Sequence, residues 1–152
     1  MKMFSSGHIF VCTKKTEKEC FSRALFGGPM SMWKEISKIN NETAIFLFKK
    51  TKRNPILYGV FLADSMPGCD IERDAWEGKY PAQVRVRQYY EFCNLPLRTF
   101  QSIFEENKMG KTAIPITAEQ TVNLIIKFIM NTRMYLGHCV MRTLSGKVIY
   151  YF

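Results

Sequence analysis

Cationic side chains set among aromatics are the chemistry this sequence offers most plainly. In "GKYPAQVRVRQYY", residues 78 to 90, a β-strand would turn Val84 and Val86 one way and Gln83, Arg85 and Arg87 the other, so that an apolar face backs a cationic one. Arginines so placed can reach phosphate oxygens, lie over the ring of Tyr89 or Trp76, or pair with Glu72, Glu77 or Glu91. The loop "KKTKRN" is denser, with Lys49, Lys50, Lys52 and Arg53 within five residues, and is the better phosphate candidate. Trp76 lies in a charged, turn-like setting, "ERDAWEGK". Its indole either stands exposed to stack a base or folds back as a plug on the end of a barrel.

Other chemistries find less support. Cys139 follows His138 and Cys12 lies four positions after His8, but sequence neighbours on a strand point to opposite faces and no third orienting residue stands out. Neither a phosphate-binding glycine loop, a nucleophile elbow nor a paired-carboxylate signature occurs, so a non-catalytic protein is expected. Cys12, Cys20, Cys69, Cys93 and Cys139 are odd in number and scattered, which reads as reduced thiols rather than a disulfide scaffold. With His8 and His138 the only histidines, we expect no metal and no cofactor.

The elements that must position these residues belong to one domain, residues 1–152, because a chain of this length with 47% hydrophobic and 14% aromatic content supports one buried core. No stretch approaches the roughly 20 apolar residues of a membrane span, and the start, "MKMFSSGHIFVC", is too polar for a secretory signal. A soluble intracellular protein, cytoplasmic or nuclear, is expected. The net charge of +9 is uneven: residues 1–63 carry 11 Lys and Arg against 4 acids, residues 64–152 carry 11 against 9. Such a basic half suits phosphate backbones or acidic partners alike.

"HIFVC" reads as a buried strand. Thr16 and Glu19 form a candidate capping box for a helix with Cys20, Phe21, Ala24 and Leu25 on one face, ended by "GGP". Trp33, Ile36 and Ile39 suggest a second short helix, whereas "TAIFLF", "ILYGVFLA" and "AQVRVRQYY" are strands. Leu97, Phe100 and Phe104 form a modest helical stripe. Thr117 and Gln120 open a helix whose expected apolar face is Val122, Ile125, Ile126 and Ile129. Ser145-Gly146 between "CVMRTL" and "KVIYYF" signals a hairpin in a C-terminal extension, residues 131–152. Central strands with flanking helices predict an α+β domain.

The ordered run "GHIFVC", "KECFSRALFGGP", "AIFLF", "LYGVFLADSMPG", "IERDAW" and "YPAQVRV" resembles the DCD (development and cell death) domain, best known from plant stress proteins, over about residues 7 to 130. Gly28 departs from that family's usual bulky apolar residue. The resemblance implies a PUA/YTH-like mixed β-barrel flanked by helices, similar to the group of PUA, EVE and YTH domains. Several of that group bind nucleic acid, and YTH domains hold a methylated adenine in an aromatic cage. By that comparison Phe26, which its place at a helix end also suits to the core, stands where a YTH domain has its first cage tryptophan, and Trp76 stands near a later one. The segment "SMPGCDIERDAW" has no second tryptophan. The expectation is a binding domain for RNA, modified or unmodified, with Trp76 and Phe26 as walls around a base and Arg85 or Arg87 on the adjoining phosphate. The alternative is a module that meets an acidic protein partner in stress or cell-death signalling.

Overall fold

The computed structural model describes residues 2–104 and 114–144, with the side chains of the last helix described as far as Met134. Its strands are β1 (Ser6–Thr13), β2 (Leu25–Gly28), β3 (Thr43–Lys50), β4 (Ile56–Ala63), β5 (Gly68–Cys69), β6 (Ala82–Gln88), β7 (Leu95–Pro96) and β8 (Ile114–Ile116). The helices are α1 (Glu17–Arg23), α2 (Trp33–Ile36), α3 (Leu97–Phe100) and α4 (Ala118–Leu144). The sheet runs β2-β6-β4-β3-β1-β8, with β5 added to β6 and β7 to β4. β1 and β3 are parallel and the other pairs antiparallel. The fold is α+β, and this mixed sheet curls into a half-barrel with β2 and β8 at its ends.

Helices on both faces explain the strand sequences. Ala44, Phe46 and Phe48 of β3 enter one core with Ile9, Phe100 and Phe128, while Ile45 and Leu47 enter the other with Phe10, Leu25 and Ile36. A strand buried on both sides is apolar almost throughout, which is why "TAIFLF" does not alternate. β6 does alternate: Val84 and Val86 are buried, as expected, while Arg87 is exposed.

The helix ends differ from expectation in instructive ways. Thr16 makes no capping hydrogen bond to α1, because its Oγ1 instead accepts the Thr13 N–H at 2.9 Å and closes the turn out of β1. Ala24, not "GGP", stops that helix by adopting φ 49°, and Leu25–Gly28 then pairs with β6. Of the expected face only Cys20 is buried within α1, and Phe21 remains 43% exposed. The second capping box does form: the Thr117 N–H donates to Gln120 Oε1 at 3.0 Å and the Gln120 N–H to Thr117 Oγ1 at 3.1 Å. α4 buries Thr121, Leu124, Ile125 and Phe128, leaving Val122 and Ile126 about half exposed. It also continues through residues 139–144, which corrects the expected first strand of a hairpin. The expected second strand, residues 147–152, lies outside the described residues. No described helix is long and apolar enough to cross a membrane.

Candidate nucleic-acid interface

Trp76 lies in a turn with left-handed backbone, φ 49° at Trp76 and 57° at Glu77, a conformation non-glycine residues adopt only when their surroundings hold it. Here α1 holds it. The Trp76 N–H donates to Glu19 Oε2 at 2.7 Å, and the indole Nε1–H donates to the Thr16 carbonyl at 3.3 Å. The ring lies across Gly27, where any Cβ would meet it at 2.6 Å. The indole is therefore a 4%-exposed plug, which corrects its reading as an exposed stacking wall. Phe26 is wholly buried between Phe10 and Phe61, because its β2 position faces the inner core, and it too offers no face to a ligand.

The arginine strand is likewise occupied. Arg85 donates to the Arg23 carbonyl at 2.8 Å and to Glu72 Oε2 at 2.9 Å, and Arg23 takes the other oxygen of Glu72 at 2.7 Å while pairing with Glu19 and Asp74. Hydrogen bonds from Arg23 above all, then from Arg85, hold the Glu72 carboxyl below the usual carboxylate range. Gln83, expected on the outward face, is 1% exposed, with its amide spent on the Glu72 backbone and the Tyr80 carbonyl. Arg87 remains exposed, with Asp64 at a loose 3.7 Å.

Lys49 also departs from expectation. Its Nζ meets Glu17 Oε1 at 3.0 Å while the Tyr58 hydroxyl donates to Oε2 at 2.6 Å. Burial pushes the Glu17 carboxyl up, but Tyr58 and Lys49 outweigh it and hold the group low. Lys50, Lys52 and Arg53 are exposed and make no ion pair among the described residues. The parallel register sets Thr13 beside Lys50, which brings the turn after β1, with exposed Lys14 and Lys15, and the first turn of α1, with exposed Lys18, to the same end of the sheet. These lysines also lack an acidic partner among the described residues. Sequence reasoning missed them because the two clusters are about 35 residues apart. Only a parallel β1–β3 pair, a long-range fact, unites them.

Nothing in this arrangement favours catalysis. The Cys12 thiol, hydrogen-bonded with Cys20 and buried, titrates above the ordinary thiol range, the reverse of what a nucleophile requires. Burial lowers His8 to about 4, and its Nε2 has no partner among the described residues. No group of three or more His, Cys, Asp or Glu side chains that could hold a metal occurs among the described residues.

The fold is shared with solved YTH domains. A YTH domain-containing protein, mmi1, in complex with RNA superposes with TM-score 0.67 at 11% identity, covering 90% of this chain and 89% of that one. The YTH domain of Zygosaccharomyces rouxii MRB1 protein in complex with N6-methyladenosine RNA gives 0.60 at 14%, covering 84% and 90%. Among sequence relatives, the B2 protein of Daucus carota is 38% identical over 126 residues, 78% of this chain and 60% of that protein. The DCD domain-containing protein NRP-B of Glycine max is 37% identical over 87 residues, 53% of this chain and 26% of that protein. The chain thus spans less than two thirds of these relatives' length. The development and cell death domain family matches residues 6–128, a stretch that takes in every strand of the half-barrel and the start of α4, and this chain belongs to that family.

Proposed function

We propose that this domain is a non-catalytic RNA-binding module that holds the phosphate backbone at the end of the sheet formed by the turn after β1 and the β3–β4 loop. The observation that carries this reading is the β1–β3 register, which gathers Lys14, Lys15, Lys18, Lys50, Lys52 and Arg53 without an acid among the described residues to neutralise them. A fold shared with YTH domains solved with RNA supports it. Such a role fits a protein of the cytoplasm or nucleus. Lys49 is spent on Glu17 and Arg85 on Glu72, so neither belongs to the track.

The test is titration of a labelled single-stranded RNA across a salt series. Each phosphate contact on a single strand adds about 0.7 to the salt slope, so Lys50→Gln/Lys52→Gln/Arg53→Gln should lower the slope by about 2 and weaken binding to every sequence. An unchanged slope moves the track elsewhere. RNA binding that is absent, with an acidic protein retained on the same face, replaces this reading with a protein partner.

A further inference from the structure

With Trp76 and Phe26 withdrawn into the core, a base needs another aromatic site. A cavity of about 390 Å³ opens between α1, β4 and the segment after β6, within the roughly 300–1,000 Å³ typical of small-molecule sites. Phe21, Tyr58, Phe61 and Phe92 line it, and Gln88, Glu91 and Asn94 stand around it as exposed polar groups. Phe61 and Phe92 are buried, whereas Phe21 is left 43% exposed beside Tyr58, ring centroids 5.1 Å apart. A large aromatic left open against a cavity is unlike the rest of this core.

Two of the polar groups, Glu91 and Gln88, offer acceptors. Glu91 makes no hydrogen bond or ion pair among the described residues, so its carboxylate is free. The Gln88 Nε2 donates to the Tyr90 carbonyl at 2.8 Å and to the Val60 carbonyl at 3.4 Å. Because carbonyls only accept, this fixes the amide and leaves its Oε1 as a further acceptor. The cavity also adjoins the basic end. Lys18 and Phe21 are three apart on α1 and so neighbours on its surface, and Tyr58 and Lys49 share Glu17.

We infer that this cavity is a nucleobase pocket selecting bases with an exocyclic amine, in which an RNA tracked by the basic end inserts one base among Phe21, Tyr58, Phe61 and Phe92. This inference rests on the RNA-binding reading above. Adenine and cytosine carry an amine that donates to Glu91 and Gln88, whereas uracil carries none.

The experiment uses the full chain and labelled ten-nucleotide oligo(A), oligo(C) and oligo(U) RNA, read by anisotropy at two salt concentrations, with thermal melting of every variant. Oligo(A) and oligo(C) should bind more tightly than oligo(U). Phe21→Ala should weaken oligo(A) about tenfold while leaving the salt slope unchanged. Phe21→Leu keeps the apolar contact and controls for packing; it should lose the same affinity while melting like the parent. Glu91→Ala should bring the A-over-U ratio to about one. The ratio is the readout, because removing a carboxylate favours any phosphate chain. Salt-sensitive binding that is equal for all three RNAs and indifferent to Phe21 overturns the pocket and leaves RNA binding standing. Absence of salt-sensitive binding to any of them overturns both.

Discussion

The turn around Trp76 and the end of the sheet around Lys50 look alike in sequence, each mixing cations with aromatics, and the fold treats them oppositely. Around Trp76 the groups that hold the turn are spent: α1 holds the indole and its backbone, and Glu72 is shared by Arg23 and Arg85. Around Lys50 the nearby acid, Glu17, is consumed by Lys49 and Tyr58, so the remaining cations face solvent uncompensated. The lesson is that a cation's availability depends on which carboxylates tertiary structure delivers, since Arg23 and Glu72 are 49 residues apart. Local charge density is a poor guide to it.

The sharpest way to break this contrast is Trp76→Ala. If the indole is a plug, its loss should cost about 3–5 kcal/mol of stability, as deletion of a buried aromatic does, and leave the salt slope of RNA binding unchanged wherever the variant is folded. A stable variant with lost affinity would return Trp76 to the interface. Melting temperature and RNA titration on one sample decide.

Acid provides the next largest effect. His8 titrates near 4 in the folded protein against 6.5 ordinarily, so between these values the unfolded chain binds more protons and stability falls as pH falls. That gap corresponds to about 3 kcal/mol, and His8→Phe should remove this leg of the decline. The depressed carboxyls act lower. Glu17, Glu72 and Asp74 contribute above the usual carboxylate range and lose that contribution as pH drops through their folded values. A His8→Phe protein whose stability still declines between pH 6.5 and 5 would place the titrating group elsewhere.

A smaller effect is expected from Glu72→Gln, which frees Arg23 and Arg85 together. Their side chains are about a quarter to a third exposed, so solvent screens the pairs and the loss should be about 1–2 kcal/mol by denaturant unfolding. The comparison sharpens if the freed arginines also add to RNA affinity, because the acid alone then separates the two regions.

How much of this was legible beforehand follows from the range of the interactions. The β3, β4 and β6 strands, the Thr117–Gln120 cap and the inward valines were readable, because runs of β-branched and aromatic residues in β3 and β4, the alternation in β6 and a three-residue box are local patterns. Thr16 and Glu19 show the same box spelled in sequence but diverted, Thr16 by its near neighbour Thr13 and Glu19 by the distant Trp76. The family was legible from its ordered motifs. The site was readable only in part. Lys50, Lys52 and Arg53 announced themselves by density, but their union with Lys14, Lys15 and Lys18 needed the parallel pairing, and Phe21 read as core on a helix expected to run through Leu25, whereas α1 stops at Arg23.

Arg87 is the smallest and most discriminating case, because it shares a strand with Arg85 but not its partners. It is half exposed, 3.7 Å from an equally exposed Asp64, and such pairs contribute little once screening and side-chain entropy are counted. Arg87→Gln should therefore change stability by less than about 0.5 kcal/mol. On the binding side it lies on β6, away from the β1–β3 end, so RNA affinity and salt slope should stay within error of the parent. A stable Arg87→Gln protein whose slope falls by about 0.7 would mean that one phosphate reaches β6. The track would then cross from the Lys50 end toward the arginine strand, and the division between an occupied region and an open one would have to be redrawn between Arg85 and Arg87.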